Sequence, residues 1–357
     1  MTQFIQLHAL TVYAPSNLNR DDTGRPKTAK FGGAERLRIS SQALKRAIRT
    51  SANFAERLKG NLGERTQRLG DVVLKHLQGK GVDDVKAMAI AREVAGAFGK
   101  IAKETDPKPQ YTAQLAFVSP EEKAAALGLA DKMANGGSNS QKPADIAAQL
   151  LRRADTAADI AMFGRMLADN PDYNREAAVQ VAHAITTHKV EVEDDFYTAV
   201  DDLKTRADAG AGFIGELGFG SGVFYLYACI ARDQLVRNLV GDASLANKAI
   251  EAFVEGFATA SPSGKQNSFA AHARANYLRV EKGSQQPRSL AAAFFKPVTG
   301  EDLLNRSVKC LDGESGFIAQ MNSAYGDCFD TDYEMRCLPG EALRGSLSEA
   351  IRFAASE

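Results

Sequence analysis

The chain has 357 residues, 44% of them hydrophobic and 25% charged, and its 44 Lys and Arg are balanced by 44 Asp and Glu. That length points to about two units, or to one fold with a large insertion, and supplies enough apolar residues for a sizeable core. No apolar run reaches the roughly 18 to 20 residues that cross a bilayer, and the start MTQFIQLHAL has neither a basic region nor a small-residue cleavage site, so a cytoplasmic protein with no leader and no membrane contact is expected.

FIQLHALTVY, residues 4–13, is β-rich in residue type and apolar on both faces, which predicts an interior strand. Residues 15–34 carry Pro15, Gly24, Pro26, Gly32 and Gly33 among charged residues and read as a long irregular connection. ERLRIS then forms a short strand, with Arg36 and Arg38 on one face and Leu37 and Ile39 on the other. From Ser40 or Ser41 the period becomes helical, with a serine placed to cap the first turn. Ala43, Leu44, Ala47, Ile48, Ser51, Phe54 and Leu58 fall on one side of this helix. Gln42, Lys45, Arg46 and Arg49 fall within about 100° on the other, giving a cationic stripe.

Residues 60–168 are rich in Ala and Leu at helical spacing, broken at TDPKPQ and NGGSNSQKP, and read as a helical subdomain with one strand-like run, YTAQLAFVS at 111–119. AAVQVAHAITTHKVEV, residues 177–192, turns β-branched near its end and predicts a strand. The acidic EVEDDFYTAVDDL looks helix-like, the glycine-rich AGAGFIGELGFGSG follows it, and VFYLYACIA is a second clear strand. A helix at about 242–259, one or two strands within SFAAHARANYLRVEK and an irregular tail with a helix near 340–354 complete the chain. Strands near both ends, a large helical insertion and no repeated βαβ unit favour an α+β fold.

Several motifs lack the context their chemistry needs. GAGFIG, with Gly210, Gly212 and Gly215, fits the dinucleotide fingerprint by letter, but an acidic helix-like segment precedes it and a strand follows, the reverse of the required order. SGKQ at 263–266 lacks the first glycine and the final Ser or Thr of a phosphate loop. His183 and His188 have no third ligand at a telling spacing. Cys229, Cys310, Cys328 and Cys337, separated by 81, 18 and 9 positions, match neither zinc knuckles nor CxxC and read as buried free thiols. No GxSxG or comparable signature supports a Ser/His/Asp site.

The charge is unevenly placed. Residues 1–60 hold eleven Lys or Arg against four Asp or Glu, and residues 156–220 hold five against twelve. Such segments either pack together within the chain or meet between stacked copies, the latter leaving basic surface for a polyanion. A helix N-terminus with free amides and serine hydroxyls is an anion site, and Lys45, Arg46 and Arg49 extend it into a track for successive phosphates; the plainer alternative is a solvated face. Arg36 and Arg38 on the preceding strand, and Arg20, Arg25, Lys27 and Lys30 before it, enlarge that surface, while Gly32 and Gly33 allow close backbone approach.

PSNLNRDDTGRPKTAKFGG followed by RLRISSQALKRAIR resembles the N-terminal region of the CasC-type backbone subunits of the type I-E CRISPR Cascade complex, in the RAMP superfamily. FGRM at 163–166, AHAITTHKVEVEDDFYTAVDDL at 182–203, GSGVFYLYA at 220–228 and GKQNSFAA at 264–271 follow in the family's order, whereas residues 60–155 and 285–357 match loosely. The resemblance implies an RRM-like (ferredoxin-like) palm at 1–59, 172–190 and 221–357, a helical fingers insertion at 60–171 and a thumb at 191–220. It implies a non-catalytic subunit without cofactor or metal. Further copies of itself and other Cascade subunits would be its protein partners. The copies would polymerise along CRISPR guide RNA, kink it at regular intervals and present it to target DNA.

Carried onto this chain, the resemblance gives Ser40, Gln42, Lys45 and Arg49 as guide-phosphate contacts and Arg20, Lys27, Arg38 and Arg46 as supporting cations. It puts Met166 against bases at the kink, although a lone Met at a helix end is ordinarily core. Phe196 or Tyr197 would meet the displaced nucleotide, stacking without regard to its identity. Phe224, Tyr225 and Tyr227 depart from the usual RNP pattern and read as core. Lys132, Lys142, Arg152 and Arg153 read as a solvated face. The competing reading is a CRISPR endoribonuclease of related fold, for which His8 and Glu35 are the nearest acid and base candidates.

Overall fold

The computed structural model describes residues 2–136, 142–199, 202 and 213–356. Strand β1 (Phe4–Ser16) is buried on both faces because each meets a layer: Ile5, Leu7 and Ala9 enter one core and Leu10 another. Strands β2 (Thr28–Phe31) and β3 (Ala34–Ile39) pair as a hairpin turning at Gly32 and Gly33, with φ of 60° and 77°. A Cβ on Gly32 would lie 1.5 Å from the Phe295 carbonyl oxygen, so this glycine serves internal packing rather than approach to a phosphate.

The basic stretch forms α1 (Ser41–Arg49), burying Leu44 and Ile48. The helix expected to run to Leu58 stops at Thr50, because Ser51 caps a new helix, α2 (Ala52–Arg57), by accepting from the Phe54 N–H.

The next segment contains β4 (Glu64–Thr66), α3 (Leu69–Gly79), α4 (Asp84–Gly96), β5 (Ala116–Val118), α5 (Pro120–Ala134) and α6 (Pro143–Leu150). Leu77, Ile90, Val94, Leu129, Ile146 and Leu150 give these helices a core of their own. The strand expected over 111–119 shrinks to β5, paired with β4; before it, Tyr111, Ala113 and Gln114 are bends and Thr112 makes an isolated bridge to Ile101.

Helix α7 (Ala158–Phe163) returns the chain to the sheet. There β6 (Val179–Val181) and β7 (Ala184–Thr186) precede β8 (Glu193–Ala199) and the long β9 (Phe213–Ala231). The acidic segment expected to be helix-like is thus a strand, paired from Glu193 opposite Phe219 to Ala199 opposite Phe213. Its register comes from β9, which local propensity does not see. Gly210 and Gly212 of GAGFIG lie outside the described residues, and Gly215 sits within β9.

After β9 come α8 (Arg232–Asn238), α9 (Ala243–Thr259), the short turn α10 (Gln266–Phe269) and β10 (Ala275–Gly283). The tail is more regular than expected, containing α11 (Leu303–Asp312), α12 (Phe317–Tyr325), β11 (Thr331–Arg336) and α13 (Leu347–Ala355).

Among the described residues, nine strands form one antiparallel sheet, in the order β11-β10-β1-β9-β7-β3-β2 with β6 and β8 also on β9. The architecture is mixed α/β, as the α+β expectation requires. The succession β1, α1, β7, β9, α9, β10 reads as β-α-β-β-α-β, compatible with a ferredoxin-like palm. Helices α1, α2, α9 and α13 cover one face through Leu44, Ile48, Phe54, Phe253 and Ile351. Phe294, Leu304, Val308 and Leu311 of the tail cover the other, over Tyr225 and Tyr277. Phe224 and Tyr225 are buried, in keeping with a core role, and Cys229 and Cys328 are buried thiols, whereas Cys310 is half-buried and Cys337 exposed. No described helix is long and apolar enough to cross a membrane.

Beneath the tail lies a buried polar network. His8 Nδ1 is 2.9 Å from Tyr225 Oη, its Nε2 is 3.5 Å from Glu281, and Arg279 and Arg288 hold the same carboxylate. Burial holds the His8 pKa below its ordinary value. Burial alone would raise Glu281, but the closeness of His8 and the hydrogen bonds and charge of Arg288 outweigh it and hold the carboxyl well below its usual range.

Both shifts have the same sign for stability. Each depressed group contributes stability above its unfolded pKa and loses it as pH falls, from about 6.5 for His8 and about 4.3 for Glu281. The urea midpoint is therefore expected to hold near neutrality and fall progressively below pH 6.5, with His8→Gln flattening the upper part of that fall. A midpoint unchanged between pH 7 and 5, or a wild-type slope in the variant, would remove this network as the cause.

Candidate nucleic-acid interface

Ser40 ends the run of β3 and caps α1, its Oγ accepting from the Ala43 N–H at 3.2 Å while its own N–H donates to Asn19 Oδ1 at 2.8 Å. Ser40 is buried, and its oxygen is committed to the cap, leaving the hydroxyl hydrogen to donate. The first turn offers fewer free amides than expected. Ser41 N–H donates to His183 Nδ1 at 3.3 Å and Ala43 N–H to Ser40, so Gln42 N–H is the one first-turn amide without a partner among the described residues.

His183 Nδ1 also lies 3.1 Å from the Arg38 guanidinium. Burial, then the charges of Arg38 and Lys27, lower the His183 pKa, which keeps that nitrogen an acceptor near neutral pH. Arg36 departs from expectation. Its side chain is wholly buried, donating to the Thr186 and Phe294 carbonyls at 2.9 Å each, and it belongs to the core rather than to the cationic surface.

Along α1, Gln42 and Arg46 are exposed and Lys45 is half-buried, its pKa lowered by desolvation. Arg49 is partly engaged internally. Its Nε donates to Asp159 Oδ2 at 2.9 Å and its guanidinium lies 4.8 Å from the Phe117 ring centre, so it ties α1 to α7 and β5. Burial raises the Asp159 pKa, although Gly63 N–H and Arg49 bind the carboxylate.

These side chains line an open groove of about 770 Å³. Ser40, Gln42, Lys45, Arg46 and Arg49 form one wall; Arg65, Leu115, Phe117, Phe163 and Met166 form the other. Met166 is 83% exposed, which sets aside the ordinary core reading of a helix-end methionine. Arg65 and Leu115 were not expected here. Their sequence neighbourhoods carry no signal for it; the pairing of Arg65 opposite Phe117 in the β4–β5 ladder sets Arg65 on the wall.

Lys27 and Arg38 line an adjoining crevice with Asn19 and Leu37. Arg20 lies elsewhere, in a second groove of about 410 Å³ with Arg25 and Lys265, opposite Asp194 and Glu216 of the β8–β9 hairpin. Arg25 and Asp194 are 2.8 Å apart there, an exposed pair of small energetic weight. Every residue of β8 is exposed, and Phe196, Tyr197, Phe213 and Ile214 form an exposed apolar end of the hairpin, with the Tyr197 and Phe213 rings 6.1 Å apart. Phe196 and Tyr197 thus lie apart from the groove that collects Met166 and the cations.

The nuclease candidates are not brought together. His8 is wholly buried on β1, and Glu35 is exposed on β3, with β9 and β7 between those strands.

A mixed α/β fold whose helix N-terminus, lysine and arginines line an open groove with apolar groups opposite defines a protein built to hold a polyanion with stackable groups. The chain belongs to the CT1975-like protein family, whose model matches residues 5–340. Two solved structures are similar over 99% of this chain and 99% of theirs. One, a chain of a CRISPR RNA-guided surveillance complex, pre-nicking, has 30% identity and a TM-score of 0.85. The other, from a CRISPR RNA-guided surveillance complex, has 26% identity and a TM-score of 0.76. No curated protein sequence matches.

Proposed function

We propose that this chain is an RNA-binding backbone subunit of a Cascade-type CRISPR surveillance complex in the cytoplasm. The observation that carries the reading is the groove in which Lys45, Arg46 and Arg49 face an exposed Met166. The cations hold the guide phosphates without reading sequence, and Met166 wedges between bases at the kink. Several copies stack along the guide, each laying its exposed β8–β9 hairpin, with Phe196 and Tyr197, over RNA held by the next. The intervening bases are left to pair with target DNA. The subunit is non-catalytic; burial of His8 counts against the nuclease reading.

Co-expression with a CRISPR array and the remaining complex subunits, followed by RNA sizing and native mass measurement, tests this. Guide-length RNA carrying several copies of the chain is the expected result. An RNA-free monomer at low salt would overturn the reading, and discrete cleavage of labelled precursor RNA by the purified chain would replace it with the nuclease.

A further inference from the structure

The turn that carries Met166 is held from inside the protein. Helix α7 ends at Gly164 (φ 78°, ψ 168°), where a Cβ would sit 2.9 Å from the Arg175 carbonyl oxygen. Arg165 then exchanges backbone hydrogen bonds with Arg175, at 3.1 and 2.9 Å. Its buried guanidinium has four acceptors: Nη1 donates to Phe117 O at 3.1 Å and Glu122 Oε2 at 2.5 Å, and Nη2 to Arg152 O at 3.0 Å and Tyr173 O at 3.2 Å. Beyond Met166, the N–H of buried Leu167 donates to Asn174 Oδ1 at 2.5 Å.

Glu122 is itself fixed. It closes the capping box of α5 with Ser119, and its Oε1 accepts from the Arg152 N–H at 2.8 Å. The backbone on both sides of Met166 is therefore pinned to buried groups while the Met166 side chain stands in the groove.

We propose that Arg165, clamped by Glu122, is a positioning residue that presets Met166 at the RNA groove so that the kink falls at one fixed nucleotide; this rests on the wedge role proposed for Met166. Wedging costs base unstacking, and a wedge whose backbone also had to be ordered on binding would add that entropy to the cost. A planar guanidinium reaches several acceptors at once, whereas lysine keeps the charge as a single point donor and cannot satisfy the same set.

The test uses assembled complexes carrying Arg165→Lys, Glu122→Gln, Met166→Ala or the Arg165→Lys/Met166→Ala pair, with the bound guide probed by a base-reactive reagent at single-nucleotide resolution. Wild type is expected to give periodic reactivity at the kinks. Met166→Ala and Arg165→Lys each lower the contrast between kinked and intervening nucleotides several-fold, Glu122→Gln lowers it less, and the double variant adds nothing to Met166→Ala alone. If Arg165→Lys blocks assembly, Glu122→Gln decides by the same readout. Full contrast in the Arg165 and Glu122 variants, with only a lowered melting temperature, makes the pair merely structural and overturns the proposal. Full contrast in Met166→Ala overturns the wedge role itself, a different failure.

Discussion

Complexes carrying Lys45→Ala with Arg46→Ala are expected to lose most of their guide RNA during purification at moderate salt. Both side chains line the groove, and Arg46 is exposed and Lys45 half-buried without a carboxylate partner among the described residues. Each charge-assisted phosphate contact is worth roughly 1 kcal/mol at moderate salt, so the pair accounts for about 2 kcal/mol, or roughly 30-fold in affinity per copy. Removing two contacts to single-stranded RNA should also lower the slope of log affinity against log salt by about 1.4. Arg49 is a poorer probe. Its loss leaves Asp159 buried beside Gly63 without its cation, mixing a folding defect into the binding result. Unchanged RNA content and an unchanged salt slope in the Lys45/Arg46 variant would make the stripe a solvated face.

The largest effect on stability is expected at Arg175. Its guanidinium and the Asp155 carboxylate are both buried and joined by two contacts of 2.5 Å, while the same side chain donates to Arg152 O at 3.0 Å. Burial raises the Asp155 pKa, but Arg175 more than offsets this and keeps it below the usual value. Arg175→Met strands that carboxylate, which costs about 3 to 5 kcal/mol, whereas Arg175→Met with Asp155→Leu removes both charges and should recover much of the loss. Urea unfolding of the three proteins side by side measures this. A single variant within about 0.5 kcal/mol of wild type, as at an ordinary surface site, would show that the pair contributes little.

Much of the groove's first wall was legible. The switch from the alternation of ERLRIS to a 3.6-residue period, with Ser40 or Ser41 at the junction, locates β3, a serine cap that the structure assigns to Ser40, and the cationic face of α1. The apolar runs of β1, the core part of β9 and the long α9 were equally plain. The second wall was not. Arg65 falls in the stretch read as helical and Leu115 in the strand-like run 111–119, and neither reading says what the residue faces; the exposure of Met166 contradicts what an isolated apolar residue at a helix end ordinarily does.

Within the charged stretch itself, Arg36 and Arg38 alternate with Leu37 and Ile39 as expected, yet only Arg38 stays at the surface. The carbonyls of Thr186 and Phe294, from segments far along the chain, draw Arg36 inside. The acidic hairpin strand β8 and the tail helices α11 and α12 were hidden for a related reason: each takes its conformation from the element it packs against.

The sequence by itself determined the local parts: which stretches alternate or wind, where serine stops one and starts the next, and that the positive charge of α1 shares a face. Those features arise between residues a few positions apart, where side-chain spacing and capping act directly on the backbone. Only the tertiary structure decided what the charge faces. Arg49 meets Asp159 across 110 positions and Arg165 meets Glu122 across 43, and such pairings exist only once the sheet and the inserted helices have brought distant segments together.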